Sequence, residues 1–351
     1  MSVTVKKFGT TKKGEKISLY TIKNSRGTEA EFTDFGAIWV SFRMKDKNGI
    51  VKDLVLGFDE AKPYLKDTNH FGATVGPIAN RTAKARFILN GKEYNLKPND
   101  GENNLHTSLK KGFQKCLFKA EADKDKNSVT FSLKKKDMAM GHPGNLNAQV
   151  TYTLTDDDAV EIRYHITTDK DTYLNVTNHA YFNLNGHDSG SVFHEKVKIN
   201  AKAYTPVVKG AIPTGEIAPV DGTPMDFRTA KEVCRDFTYG FNQIEFVNGY
   251  DHNFVLDDGE TPVREVASVS DDQSGISMKV FTDLPGVQFY TGNWINVESA
   301  KGGVSYGPRQ GLCLETQYFP NSVNEPKFKK PIYGPDKPFD SVTIYRFDVE
   351  K

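Results

Sequence analysis

The stretch YLNVTNHAYFNL, residues 173–184, sets one histidine among asparagines and aromatics with no lysine or glutamate beside it. As a strand, it would place Asn175, Thr177, His179, Tyr181 and Asn183 on one face, and Val176, Ala180, Phe182 and Leu184 with Asn178 on the other. A solvent-facing strand usually displays charges. Uncharged donors and acceptors instead suit the wall of a wet cleft that holds a polyhydroxylated ligand. A half-buried histidine satisfied by neighbouring amides is the competing reading.

Glu315, in GLCLETQYFP, stands in an apolar strand beside Leu312, Cys313 and Leu314. Desolvation there is costly and pushes a carboxyl toward neutral pKa. It is therefore either a general base or half of a structural ion pair with Arg81 or Arg309. Asp251 in GYDHNFVL, Asn80 and Arg81 in GPIANRTAKARF, and His106 in NNLHTS are each ordinary loop or cap residues when taken singly. Together His179, His106, Glu315, Asp251 and Arg81 supply two imidazoles, two carboxylates and a guanidinium, an inventory for acid–base chemistry on a sugar.

Other chemistries find little support. GVSYG, residues 303–307, fits a nucleophile-elbow pattern around Ser305, but a loop and a strand follow it where that motif needs a helix. No glycine-rich phosphate loop is present, and DKDKNS at Asp123 lacks the glycine and distal glutamate of a calcium loop. Cys116, Cys234 and Cys313 form no CxxC pair, so neither a disulfide framework nor a structural zinc site is expected. Metal and cofactor are both expected to be absent.

The elements that must position these residues are strands. Period-2 alternation of β-branched and aromatic residues recurs in KISLYTI, AIWVSFRM, SVTFSLKKK, AQVTYTLT, VEIRYHITT and EKVKINAKAY. Hairpin turns are expected at Asn48-Gly49, Asn90-Gly91 and Asp156–Asp158. Helix is expected only in DEAKPYLKD and RTAKEVCRDF. No linker or repeat divides the 351 residues, which predicts one large all-β domain over 1–351, an antiparallel β-sandwich with few short helices. With 46 Lys+Arg against 45 Asp+Glu, no overall field favours nucleic acid or a membrane surface. No apolar run reaches signal-core or membrane-spanning length, so a soluble, cytoplasmic protein is expected.

At this point a resemblance is visible. GPIANR, NNLH, GHPGNL, TNHAYFNL, IPTGEIAPVDGTPMDFR, GYDHNF, LPGVQFYTGN and LETQYFPNSVN occur in the order found in aldose 1-epimerases, the galactose mutarotase family, almost end to end. The resemblance implies the mutarotase supersandwich, no cofactor, a small-molecule sugar substrate, and a monomer or homodimer. It implies Glu315 as the base at the C1 hydroxyl and His179 as the acid at the ring oxygen. Arg81, His106 and Asp251 would hold sugar hydroxyls, with Asn80 in support. The sequence departs from the family at Thr107 and Ser108, where glycines are common, at Ala180 in place of a hydroxyl residue, and at Asn321 in place of aspartate. Trp294 would either stack on a sugar or close the core. A non-catalytic carbohydrate-binding protein and a hexose-6-phosphate 1-epimerase are the alternatives on the same fold.

Overall fold

The alternating segments become antiparallel strands in the computed structural model, which describes residues 2–237, 240–256 and 262–350. Nine strands form the largest sheet, with Leu146–Leu154, Ala159–Thr168 and Phe339–Val349 as consecutive neighbours near its centre. A second sheet is a five-stranded meander from Ser2–Thr10 to Val51–Asp53. A third, also of five strands, runs Ala218–Pro219, Ala203–Tyr204, Asp251–Val255, Gly286–Tyr290, Cys313–Gln317.

One buried apolar cluster joins the three sheets. Tyr152, Ile162 and Phe347 of the nine-stranded sheet meet Trp39 and Phe42 of the second and Phe254, Phe289 and Leu314 of the third. Each inward side chain removes apolar surface from water at roughly 25 cal/mol per Å². Sheets whose inner faces share a core in this way form a sandwich, the architecture that alternation predicts.

The expected hairpins are present. Asn48-Gly49 joins Ile38–Lys45 to Val51–Asp53, Asn90-Gly91 joins Arg86–Leu89 to Lys92–Asn95, and the acidic turn joins Leu146–Leu154 to Ala159–Thr168. DEAKPYLKD contains the short helix Ala61–Tyr64. RTAKEVCRDF is not a helix. Its Lys231–Glu232 is an edge strand on Lys196–Ile199, and its charges are spent locally, with Arg228 on Asp221 and Asp226 and Lys231 on Asp236. The second helix lies further on, at Asn242–Val247, and ends on Asn248 in the left-handed region.

The opening stretch is not one continuous strand. Thr172–Tyr173 and Thr177–His179 are separate pairings, the latter with Ala73–Val75, and Phe182 bridges both Val55 and Leu312. The whole stretch from Tyr173 to Leu184 is buried.

Buried among these elements, Lys301 Nζ donates to Asp53 at 2.8 Å and to the carbonyls of Val40 and Val55. This charge pair ties the 294–301 loop to the second sheet. It also holds the Asp53 carboxyl low against the raising effect of its burial.

Candidate active site

Strand register explains how the carboxylates come together. In the third sheet Asp251 pairs with Tyr290 and Tyr290 with Cys313, while Asn253 pairs with Gln288 and Gln288 with Glu315. Side chains two apart share a face, so these two rows form one polar surface. The opposite surface, with Phe254, Val287, Phe289 and Leu314, enters the core. Gln288 donates to Asp251 at 2.7 Å, and Gln317 donates to the carboxamide oxygens of Gln288 and Asn253. Gln288 thus supports the Asp251 carboxylate from behind, and Gln317 in turn supports Gln288.

Glu315 is only 3% exposed. Burial first, and the nearby Asp251 second, push its carboxyl well above the usual range, with the Arg81 guanidinium opposing. His179 lies opposite, its Nε2 3.8 Å from Glu315 Oε1 and its Nδ1 3.6 Å from Cys313 Sγ. Burial lowers the His179 imidazole to about 4. Isolated buried charges are too costly to sustain, so the pair holds one proton between its two members near neutral pH. Its ring stacks on Tyr181 at 4.9 Å and 25°, and the Tyr181 hydroxyl is fixed on the carbonyl of Asn69.

Arg81 donates Nε–H to Asp100 at 2.8 Å and sets NH1 3.6 Å from Asp251. Asn80, in the left-handed region, turns its own N–H onto His106 Nδ1 and accepts the Arg81 N–H on its side chain. The His106 proton is therefore left on Nε2. Burial, then His70 and His179, keep this imidazole neutral. Thr107 also has a positive φ, a costly conformation for a β-branched residue. Its hydroxyl donates to the carbonyl of Ile78 and accepts the Ile78 N–H, which locks the loop where glycines would leave it free.

Glu315, His179, Arg81, His106, Asp251 and Asn80 all border one open cleft of about 620 Å³. Arg309 is elsewhere, on the carbonyl of Asn248 and over Phe237, so it is no partner of Glu315. The asparagines of the opening stretch do not form the wall of the cleft. Asn175 serves the Tyr318 backbone, and Asn183 serves the carbonyls of Gly190 and Gln310. From that face only His179 and Tyr181 reach the cleft. Asn321 accepts the Ala83 N–H and so braces the Arg81 segment. Trp294 is on the rim, 66% exposed, which excludes the role of closing the core.

Tyr290 and His70 also border the cleft, and sequence reasoning did not single them out. Tyr290 was discoverable from its register two residues beyond Gln288 in the LPGVQFYTGN segment. His70 sits in a loop without periodicity and gave no such signal.

A family model described as aldose 1-epimerase matches residues 18–346. A galactose mutarotase of Bos taurus is 41% identical over 321 residues, 91% of each chain. An aldose 1-epimerase of Escherichia coli is 36% identical over 339 residues, 96% of this chain and 97% of its own. Among solved structures, an aldose epimerase homologue from C. elegans superposes with a TM-score of 0.86 at 28% identity, covering 94% of this chain and 98% of that one.

Proposed function

The chain belongs to the aldose 1-epimerase family, and from that premise we propose that Glu315 and His179 interconvert the α and β anomers of free aldohexoses such as galactose and glucose. Glu315 takes the proton of the C1 hydroxyl while His179 delivers one to the ring oxygen, and the hemiacetal opens to the aldehyde. Rotation about C1–C2 and closure with the roles exchanged gives the other anomer. Every proton is returned, so the step needs neither redox chemistry nor an external acid.

The 3.8 Å between His179 Nε2 and Glu315 Oε1 carries this reading. Both reacting oxygens are bonded to C1, so acid and base must be neighbours with access to one substrate atom. The shared proton must lie on His179 for the forward step. Burial and Asp251 favour the proton on Glu315, and the Arg81 charge, which stabilises the carboxylate, lowers the cost of moving it to His179. Arg81, Asp251 and His106 hold sugar hydroxyls, and Asn80 keeps His106 in its tautomer.

A hexose phosphate fits less well. Arg81 is the one lysine or arginine among the described residues bordering the cleft, and two carboxylates already engage it. A phosphate would have to displace them. Binding without turnover would leave the buried Glu315–His179 pair without a use. No helix among the described residues is long and apolar enough to cross a membrane. Action as one unit over residues 1–351 in the cytoplasm, as monomer or homodimer, belongs to the same proposal.

Polarimetry of freshly dissolved α-D-galactose and α-D-glucose tests it, with wild type, His179→Asn and Glu315→Gln against buffer. Acceleration by wild type that both substitutions abolish is expected. Mutarotation no faster than buffer on either sugar would overturn the assignment.

A further inference from the structure

Three imidazoles converge on the cleft, and the proposed chemistry uses two. The His70 ring lies 5.0 Å from that of His106 and 6.1 Å from that of His179, and His70 is 5% exposed. Its Nδ1 is sealed from solvent without a hydrogen-bond partner, whereas Nε2 is neither sealed nor hydrogen-bonded within the protein. A proton on Nδ1 would be an orphaned buried donor, a rare and costly arrangement. The proton therefore sits on Nε2, and a residue bordering the cleft presents a free N–H there.

The loop that carries His70 is held in place. Asp67 accepts the N–H groups of Asn69 and Phe71, Lys115 donates to the carbonyls of Tyr64 and Asp67, and Tyr181 donates to the carbonyl of Asn69. His70 itself adopts φ +59°, uncommon for a non-glycine residue. Ring packing alone would be met equally by phenylalanine, which leaves no buried nitrogen unpaired. A fixed donor in an unfavourable backbone conformation at a cleft wall instead suits recognition of a ligand.

The position of the donor indicates which ligand atom it meets. The His70 ring packs against the rings of His106 and His179, and the imidazole within ion-pair reach of Glu315 is that of His179. His70 thus stands on the acid's side of the cleft. In a pyranose the ring oxygen is flanked by C1 and by C5, which bears the hydroxymethyl group. With Glu315 at the C1 hydroxyl and His179 at the ring oxygen, the next substituent beyond His179 is that hydroxymethyl.

We infer that His70 is a specificity-determining residue whose Nε2–H donates to the C6 hydroxyl of the hexose. This inference rests on the roles proposed for Glu315 and His179.

The test compares kcat and KM for D-glucose and 6-deoxy-D-glucose, which differ by that one hydroxyl, in wild type, His70→Phe and His70→Gln. Leaving one buried neutral donor unpaired amounts to roughly fivefold to a hundredfold in kcat/KM. Wild type is expected to prefer glucose by roughly that factor, mainly through KM, His70→Phe to bring the ratio toward one, and His70→Gln to restore part of it. A wild type that treats the two sugars alike overturns the inference and needs no variant. An equal loss on both sugars in His70→Phe, with the ratio preserved, overturns it as well and makes the residue structural. Wild-type protein inactive on both sugars would instead bring down the underlying acid–base assignment, and this inference with it.

Discussion

Replacing Glu315 by glutamine has two consequences of opposite sign. Glutamine keeps the shape but takes no proton, so kcat/KM should fall about a hundredfold to ten-thousandfold. That corresponds to roughly 3–5 kcal/mol of barrier at about 1.36 kcal/mol per decade. Stability should move the other way. The folded Glu315 carboxyl is held well above its ordinary range, chiefly by burial. A group whose folded pKa exceeds its unfolded pKa keeps its proton after the unfolded chain has lost it. Between the two values the unfolded chain binds fewer protons, so stability falls as pH rises, by up to about 1.4 kcal/mol per pH unit. Glutamine has no such dependence. The advantage of the variant in unfolding free energy should therefore grow from the ordinary carboxylate range through neutrality, and level off once Glu315 ionises in the folded state. Urea denaturation followed by tryptophan fluorescence at several pH values, with mutarotation on the same preparations, reads both. Parallel stability curves would refute the buried neutral carboxyl, and kcat/KM within tenfold of wild type would refute the base.

Arg81→Lys keeps the charge but loses the fork that spans Asp100 and Asp251, and should raise KM about tenfold with a smaller effect on kcat, measurable by initial-rate polarimetry. Lys301→Met leaves Asp53 buried without its counter-charge and should cost about 3–5 kcal/mol, read as a lowered urea midpoint. The pH profile of kcat/KM should be bell-shaped. A second proton enters the His179–Glu315 pair as pH falls toward about 4, the value of the imidazole, and the last one leaves on the alkaline side, so activity declines in both directions. A profile that keeps rising with pH would mean that no protonated acid takes part.

Much of this was legible in the amino-acid order. Alternation and the Asn-Gly turns announced the strands, because a half-buried pleated surface imposes period 2 and a tight hairpin imposes positive φ. Glu315 stood out because a carboxylate conflicts with an apolar strand, and His179 because uncharged hydrogen-bonding residues surround it where a solvent-facing strand would carry charges. RTAKEVCRDF misled because its helix-forming residues are recruited into local ion pairs and an edge strand by tertiary contacts. The asparagines misled because burial on both faces turned apparent ligand contacts into backbone supports. Lys301 with Asp53, and Asp67 beneath His70, were illegible for a different reason: their partners are brought together only by the packing of the sheets and loops.

The rows of the third sheet and the loop at residues 67–70 divide labour in a way that bears on how such a protein changes over generations. Glu315 belongs to a strand register, where a one-residue slip would turn its whole face into the core, so natural selection has little freedom there. His70 belongs to a short surface segment anchored by backbone contacts that do not depend on its imidazole. Substitution at this position can alter the aldose accepted while the proton-transfer pair stays where it is.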